Sequence, residues 1–146
     1  MSLNRREFVI MTAAGACALA AGELPAAEAP HIVHVGRREE YARDGVYDKL
    51  AKTSKLLLIR KAERLYAATA ICTHRNCVLK PVSGELRCPC HGSRYSLAGE
   101  VTRGPATDSL VRFAISCAAD GAITVDLAKK YDPAHWDDEG SYLKMT

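Results

Sequence analysis

Residues 55–72 read KLLLIRKAERLYAATAIC, and the fold is decided here. Lys55 to Arg60 reads as a strand, a polar turn follows at Lys61 to Arg64, and Leu65 to Ile71 is a second strand that runs directly into Cys72. The same pattern continues outward in both directions. His31-Ile32-Val33-His34-Val35 alternates and stops at Gly36. Leu110 to Cys117 and Ala122 to Leu127 flank Ala118-Ala119-Asp120-Gly121, whose Asp-Gly pair favours a hairpin. Arg37 to Asp44 is charged and suits a helical turn or a loop. No long amphipathic period, internal repeat or low-complexity tract interrupts these short segments. The expected class is all-β and antiparallel.

At 146 residues and 48% hydrophobic, the chain can bury one modest core. Its 20 basic and 17 acidic residues are scattered, without a Lys/Arg block or aromatic-basic interleaving, so a nucleic-acid partner is not expected. The division expected is a leader over 1–29, one domain over 30–127, and a tail over 128–146 that holds Pro133, Trp136 and Asp137-Asp138-Glu139.

The leader places Arg5-Arg6 before an apolar stretch from Phe8 to Gly22, rich in alanine and glycine, and so resembles a twin-arginine export signal. That stretch, about 15 residues, is shorter than the roughly 20 a spanning helix needs. Ala27-Glu28-Ala29 supplies an A-x-A cleavage site, with Pro30 directly after it. Cys17, inside the apolar stretch, reads as a small residue of a discarded peptide. Export to the periplasm by twin-arginine translocation is the expected localisation, and membrane contact would come only through a retained N-terminal segment or a larger complex.

Residues 72 to 95 hold four of the six cysteines and two of the five histidines. They fall in two arms, Cys72-Thr73-His74-Arg75-Asn76-Cys77 and Cys88-Pro89-Cys90-His91-Gly92-Ser93. Structural disulfides alone leave unexplained why each arm joins a cysteine to a histidine. Thiolate and imidazole are the ligands that soft and borderline metals prefer. A zinc finger of the Cys2His2 kind usually presents a cysteine pair and then a histidine pair, unlike these mixed arms. A plant-type ferredoxin shares the C-x4-C of Cys72 and Cys77 but then requires cysteine where Lys80 stands.

The C-x-H and C-x-x-H arms resemble Rieske proteins, in which one iron takes two cysteines and the other two histidines. The resemblance runs over about residues 55 to 127. It implies an antiparallel β sandwich or barrel with a small cluster-binding subdomain made by two loops. It also implies one 2Fe-2S cluster per chain, with Cys72 and Cys88 on the inner iron and His74 and His91 on the outer one. Cys77 and Cys90 resemble the loop-to-loop disulfide of cytochrome bc-type Rieske subunits. Ser93 and Tyr95 match the hydroxyls that donate to cluster sulfurs in high-potential members, and Gly104-Pro105-Ala106 is similar to the proline loop that covers the cluster. Three departures stand out. The connection from His74 to Cys88 is short, Thr107 stands where bc-type proteins often repeat proline, and Arg75-Asn76 replaces the leucine-glycine of the quinol-oxidising tip.

The function implied is one-electron transfer, as a periplasmic carrier or an electron-transfer subunit, with no independent catalytic site. Two neutral imidazoles in place of two thiolates make the cluster less negative and raise its potential. The partner expected is a redox protein, such as a cytochrome or a larger oxidoreductase. A polar, cationic tip at Arg75 and Asn76 suits a soluble partner with an acidic face better than an apolar quinol pocket. Other readings are a subunit of a quinol-oxidising or molybdenum-containing complex and, more remotely, a zinc-stabilised binding module. Cys117 alternates with Phe113 and Ile115 and is expected as an inert core thiol. His31, His34 and His135 lie outside the motifs and are expected on strands or the surface, away from any ligand set.

Overall fold

The structure is a computed structural model that describes residues 31–146, so the expected leader lies outside the described residues. Among these residues there are eleven strands, two short 3-10 turns and no α-helix. The strands are β1 (Ile32–Arg37), β2 (Gly45–Tyr47), β3 (Leu56–Lys61), β4 (Arg64–Thr69), β5 (Lys80–Val82), β6 (Glu85–Arg87), β7 (Arg94–Ser96), β8 (Val101–Arg103), β9 (Arg112–Cys117), β10 (Ala122–Tyr131) and β11 (Leu143–Lys144). The larger sheet has the order β1-β10-β9-β4-β3-β2, with β11 added beside β4. The smaller sheet has the order β5-β6-β7-β8. Every pairing is antiparallel, and the fold is all-β.

The hairpin β3–β4 separates two cores. Side chains alternate across a strand, so Leu57, Ile59, Tyr66 and Ala68 enter one core with Leu79, just before β5, and Leu86 and Tyr95 of the smaller sheet. Leu56, Leu58, Leu65 and Ala67 enter the other with Val35, Tyr41, Phe113, Ile115, Ile123 and Val125. Burial on both faces explains why this hairpin reads as continuous apolar runs. Each buried leucine or isoleucine contributes about 1.5–3 kcal/mol through apolar burial. The polar turn between the runs narrows to Ala62-Glu63, with Lys61 paired to Arg64.

The charged stretch after β1 makes a 3-10 turn at Arg38–Tyr41 that buries the Tyr41 ring. The second hairpin forms between β9 and β10, closed by Ala118 N–H donating to Ala122 O at 2.8 Å. Gly121 lies there at φ +87°, a conformation that favours glycine. Cys117 is half-buried, donating to Ala118 O at 3.5 Å, and so sits less deeply than Phe113 and Ile115.

Residues 128–146, expected as a tail, are folded into the body. β10 continues to Tyr131 through a bulge between Asp126 and Lys130. Asp132 then caps a turn at Pro133–His135 by accepting from Ala134 N–H at 3.0 Å. The Trp136 ring covers Arg112 and Gly99, and β11 pairs Leu143 with Leu65. Apolar side chains spaced irregularly through a polar segment carry no periodic signal, so this docking is invisible before the Arg64–Leu65 end of β4 and the Arg112 side chain are in place.

Candidate metal centre

Two loops carry the cysteines and histidines, and they share a backbone frame. In the first, Cys72 N–H donates to Cys77 O at 2.8 Å and Asn76 N–H returns to Cys72 O at 3.1 Å. In the second, Cys88 N–H donates to Ser93 O at 2.8 Å and Gly92 N–H returns to Cys88 O at 3.1 Å. The fifth residue of each loop is left-handed, Asn76 at φ +57° and Gly92 at φ +80°. Glycine and, more sparingly, asparagine tolerate that region, which accounts for both residue types. β4 delivers the first loop, and the hairpin β6–β7 closes the second.

The frame turns the first cysteine of each loop inward. Cys72 and Cys88 are buried free thiols. His74 and His91 are exposed, with their rings edge to face and centroids 5.1 Å apart. Cys77 and Cys90 form a disulfide with S–S 1.94 Å that ties one loop to the other. The Cys77, Cys88 and Cys90 sulfurs lie within 4.8 Å of one another, but two of them are committed to that disulfide and lack a free thiolate for a metal. The thiols left over in the two loops are Cys72 and Cys88, beside two imidazoles, and this donor set fits a two-cysteine, two-histidine cluster.

Hydroxyl groups surround the Cys72 sulfur. Tyr95, fully buried, places its Oη 3.3 Å from Cys72 Sγ. The same oxygen accepts from Thr73 N–H at 3.1 Å and lies 2.9 Å from Thr73 Oγ1. Ser93 is also fully buried, and its Oγ accepts from Ala106 N–H at 3.0 Å, which leaves the hydroxyl proton free to point at sulfur. Burial pushes the Cys72 thiol up, but hydrogen bonds from Tyr95, the His74 backbone, Cys88 and Ser93 outweigh it and hold the thiol below its ordinary pKa. A thiolate is the form a metal requires. Burial first, and then the bond to Cys72, pushes the Tyr95 phenol up, so it remains a donor.

A third loop lies over these two. Gly104 and Pro105 are exposed and joined by a cis peptide, while Ala106 beside them is buried. Thr73 Oγ1 donates to Asp108 O at 2.8 Å, so the loop is pinned to both arms, through Thr73 on one and Ser93 on the other. The sequence carries no mark of this role of Thr73, because a threonine between a cysteine and a histidine gives no sign of its partners. Arg112 is equally unmarked in the sequence. Its buried guanidinium is held between the Tyr66 ring at 3.8 Å and the Trp136 ring at 4.3 Å, and donates to Ala98 O at 2.8 Å.

A family model described as the Rieske [2Fe-2S] domain matches residues 31–116. The chain belongs to the Rieske [2Fe-2S] domain family. Its cofactor is accordingly a 2Fe-2S cluster. Among curated relatives of this Rieske chain, the chloroplastic cytochrome b6-f complex iron-sulfur subunit of Volvox carteri is 44% identical over 61 residues, 40% of this chain and 30% of that protein. The cytochrome b6-f complex iron-sulfur subunit of Synechococcus sp. (strain JA-3-3Ab) is 47% identical over 58 residues, 38% of this chain and 33% of that protein. The matches thus span about a third of those relatives' length. A chain in the solved complex of reduced oxygenase and oxidized ferredoxin in carbazole 1,9a-dioxygenase has the same fold, with TM-score 0.51 at 20% identity, over 71% of this chain and 100% of that one.

Proposed function

We propose that Cys72, Cys88, His74 and His91 hold one 2Fe-2S cluster and that this Rieske chain carries one electron at a time between protein partners. The observation that carries the reading is the pair of equivalent loops, each offering one buried free thiol and one exposed imidazole. A cluster held by two thiolates and two neutral imidazoles accepts one electron at a raised potential. The chain's own residues then do the rest. The Ser93 and Tyr95 hydroxyls face the cysteine sulfur and favour the more electron-rich state. Gly104, Pro105 and Ala106 cover the arms against water, and the exposed edges of His74 and His91 are the outlet to a partner. The test is metal content and EPR of the purified protein. Two irons per chain and a reduced-state signal with average g below the free-electron value are expected, whereas stoichiometric zinc without iron overturns the reading.

Export through the Arg5-Arg6 signal, with cleavage near Ala29, belongs to the same proposal. It is supported by the Cys77–Cys90 disulfide, since such bonds persist in oxidising compartments. Cell fractionation, with N-terminal sequencing of the exported form, tests it.

A second reading, as the Rieske subunit of a quinol-oxidising complex, is favoured by the 44% identity to the Volvox b6-f subunit. Against it stands the exposed Arg75 between the histidine and the disulfide, where an apolar quinol pocket would have to desolvate a guanidinium. Co-purification with a b-type cytochrome would favour the complex, and isolation as a free protein would favour the carrier.

A further inference from the structure

The smaller sheet carries a feature of its own on its outer face. Its register sets Lys80 opposite Arg87, Arg87 opposite Arg94, and Arg94 opposite Arg103. Residues directly opposite on neighbouring strands share a face, so four cations form one row across all four strands. Leu86 and Tyr95 are fully buried, and the alternation of side chains turns Arg87 and Arg94 outward. Lys80 and Arg103 are exposed, and the Arg87 and Arg94 side chains are 40% and 35% exposed. Among the described residues, Glu85 is the carboxylate paired with this row, bonded to Arg87 and 3.5 Å from Arg94, so positive charge remains in excess there. At the Lys80 end the row meets a groove lined by Lys49 and Lys52 with Asp48.

Like charges placed directly opposite destabilise a sheet, so this row works against the stability of the strands that carry it. Its position is informative. Arg87 and Arg94 are the closing pair of the loop that carries Cys88 and His91, and Arg75 adds a cation on the other loop. The charge therefore lies beside the histidine edge that a redox partner must approach.

We propose that Lys80, Arg87, Arg94 and Arg103 form a docking surface for the acidic face of a redox protein, which the row steers and orients toward His74 and His91. The inference rests on the reading of the chain as a one-electron carrier. An anionic lipid surface is the other conceivable occupant, but Val82 is the one exposed large apolar side chain on these strands, a poor anchor for a membrane.

The test mixes reduced holoprotein with an oxidised acidic c-type cytochrome in a stopped-flow instrument. One electron leaves the protein and reduces the ferric haem to the ferrous state. The second-order rate should fall about tenfold or more from low to high salt. The double variant Lys80→Glu, Arg103→Glu should lower the low-salt rate by about tenfold and weaken the affinity between the two oxidised proteins in parallel, with the EPR spectrum unchanged. A basic c-type cytochrome should reverse the order of the two proteins. Equal rates and affinities for wild type and variant overturn the docking surface. So does charge-dependent binding to phosphatidylserine vesicles with no charge dependence toward the cytochrome. If charge reversal alters the EPR spectrum, the neutral pair Lys80→Gln, Arg103→Gln replaces it and must itself lower the low-salt rate, or the proposal falls. Failure of the carrier reading looks different, as a purified protein without iron or without a reversible one-electron midpoint.

Discussion

The loops Cys72–Cys77 and Cys88–Ser93 share a backbone frame but differ in what each position of that frame carries. Position one is an inward cysteine in both. Position three is His74 in the first loop and Cys90 in the second, position four is Arg75 and then His91, and position six is Cys77 and then Ser93. The disulfide therefore joins position six of one loop to position three of the other. Their supports differ too. Tyr95 and Asp108 brace the first loop through Thr73, whereas Ala106 braces the second through Ser93. The backbone frame presents the thiols, and the side chains hung on it decide which edge stays open and where the loops are tied together.

The comparison breaks most completely at position one. Cys72→Ala and Cys88→Ala should each abolish iron retention, because neither loop has a second free thiol to offer. Iron analysis of the purified variants checks this, and full iron content in either would dissociate that loop from the cluster. Next comes the tie between the loops. Replacing both Cys77 and Cys90 with serine should lower stability by about 2–4 kcal/mol, read as an earlier denaturant midpoint of the holoprotein. An unchanged midpoint would mean that hydrogen bonds alone hold the loops together.

Position five sharpens the equivalence of the two frames. Asn76→Val should cost about 1–2 kcal/mol, since a β-branched residue at φ +57° is strained, while Asn76→Gly should stay within a few tenths. Thermal melts of the two variants side by side read the difference, and equal melting points would contradict a left-handed requirement in the first loop. The smallest effect concerns the hydroxyls. Tyr95→Phe, which unmakes a contact of the first loop, and Ser93→Ala, which unmakes one of the second, should each lower the midpoint potential by roughly 40 mV if each bond favours the reduced state by about 1 kcal/mol. Protein-film voltammetry measures both, and a shift in only one variant would assign the tuning to that hydroxyl.

Much of this was legible from residues alone. Lys55 to Arg60 and Leu65 to Ile71 read as strands from their own composition, and β3 and β4 lie there. The Asp120-Gly121 turn marked the β9–β10 hairpin because its requirement is local. The mixed cysteine-histidine arms stood out because the thiol and imidazole side chains that the two loops bring together are here also close in sequence. Trp136 and Arg112 were silent, since a stacked pair 24 residues apart leaves no periodic trace.

Local chemistry thus determined the strand-rich class, the two arms and the residue types able to hold iron. Only the tertiary structure decided that both faces of β3–β4 are buried, that residues 128–146 close over Gly99 and Arg112, and that Lys80, Arg87, Arg94 and Arg103 stand in one row. The physical reason is register. Which residues face each other across strands depends on turn lengths and bulges, such as the irregularity between Arg94 and Tyr95 that brings Arg103 opposite Arg94. A shift of one residue would send those side chains to the other face of the sheet, and no single strand carries that information by itself.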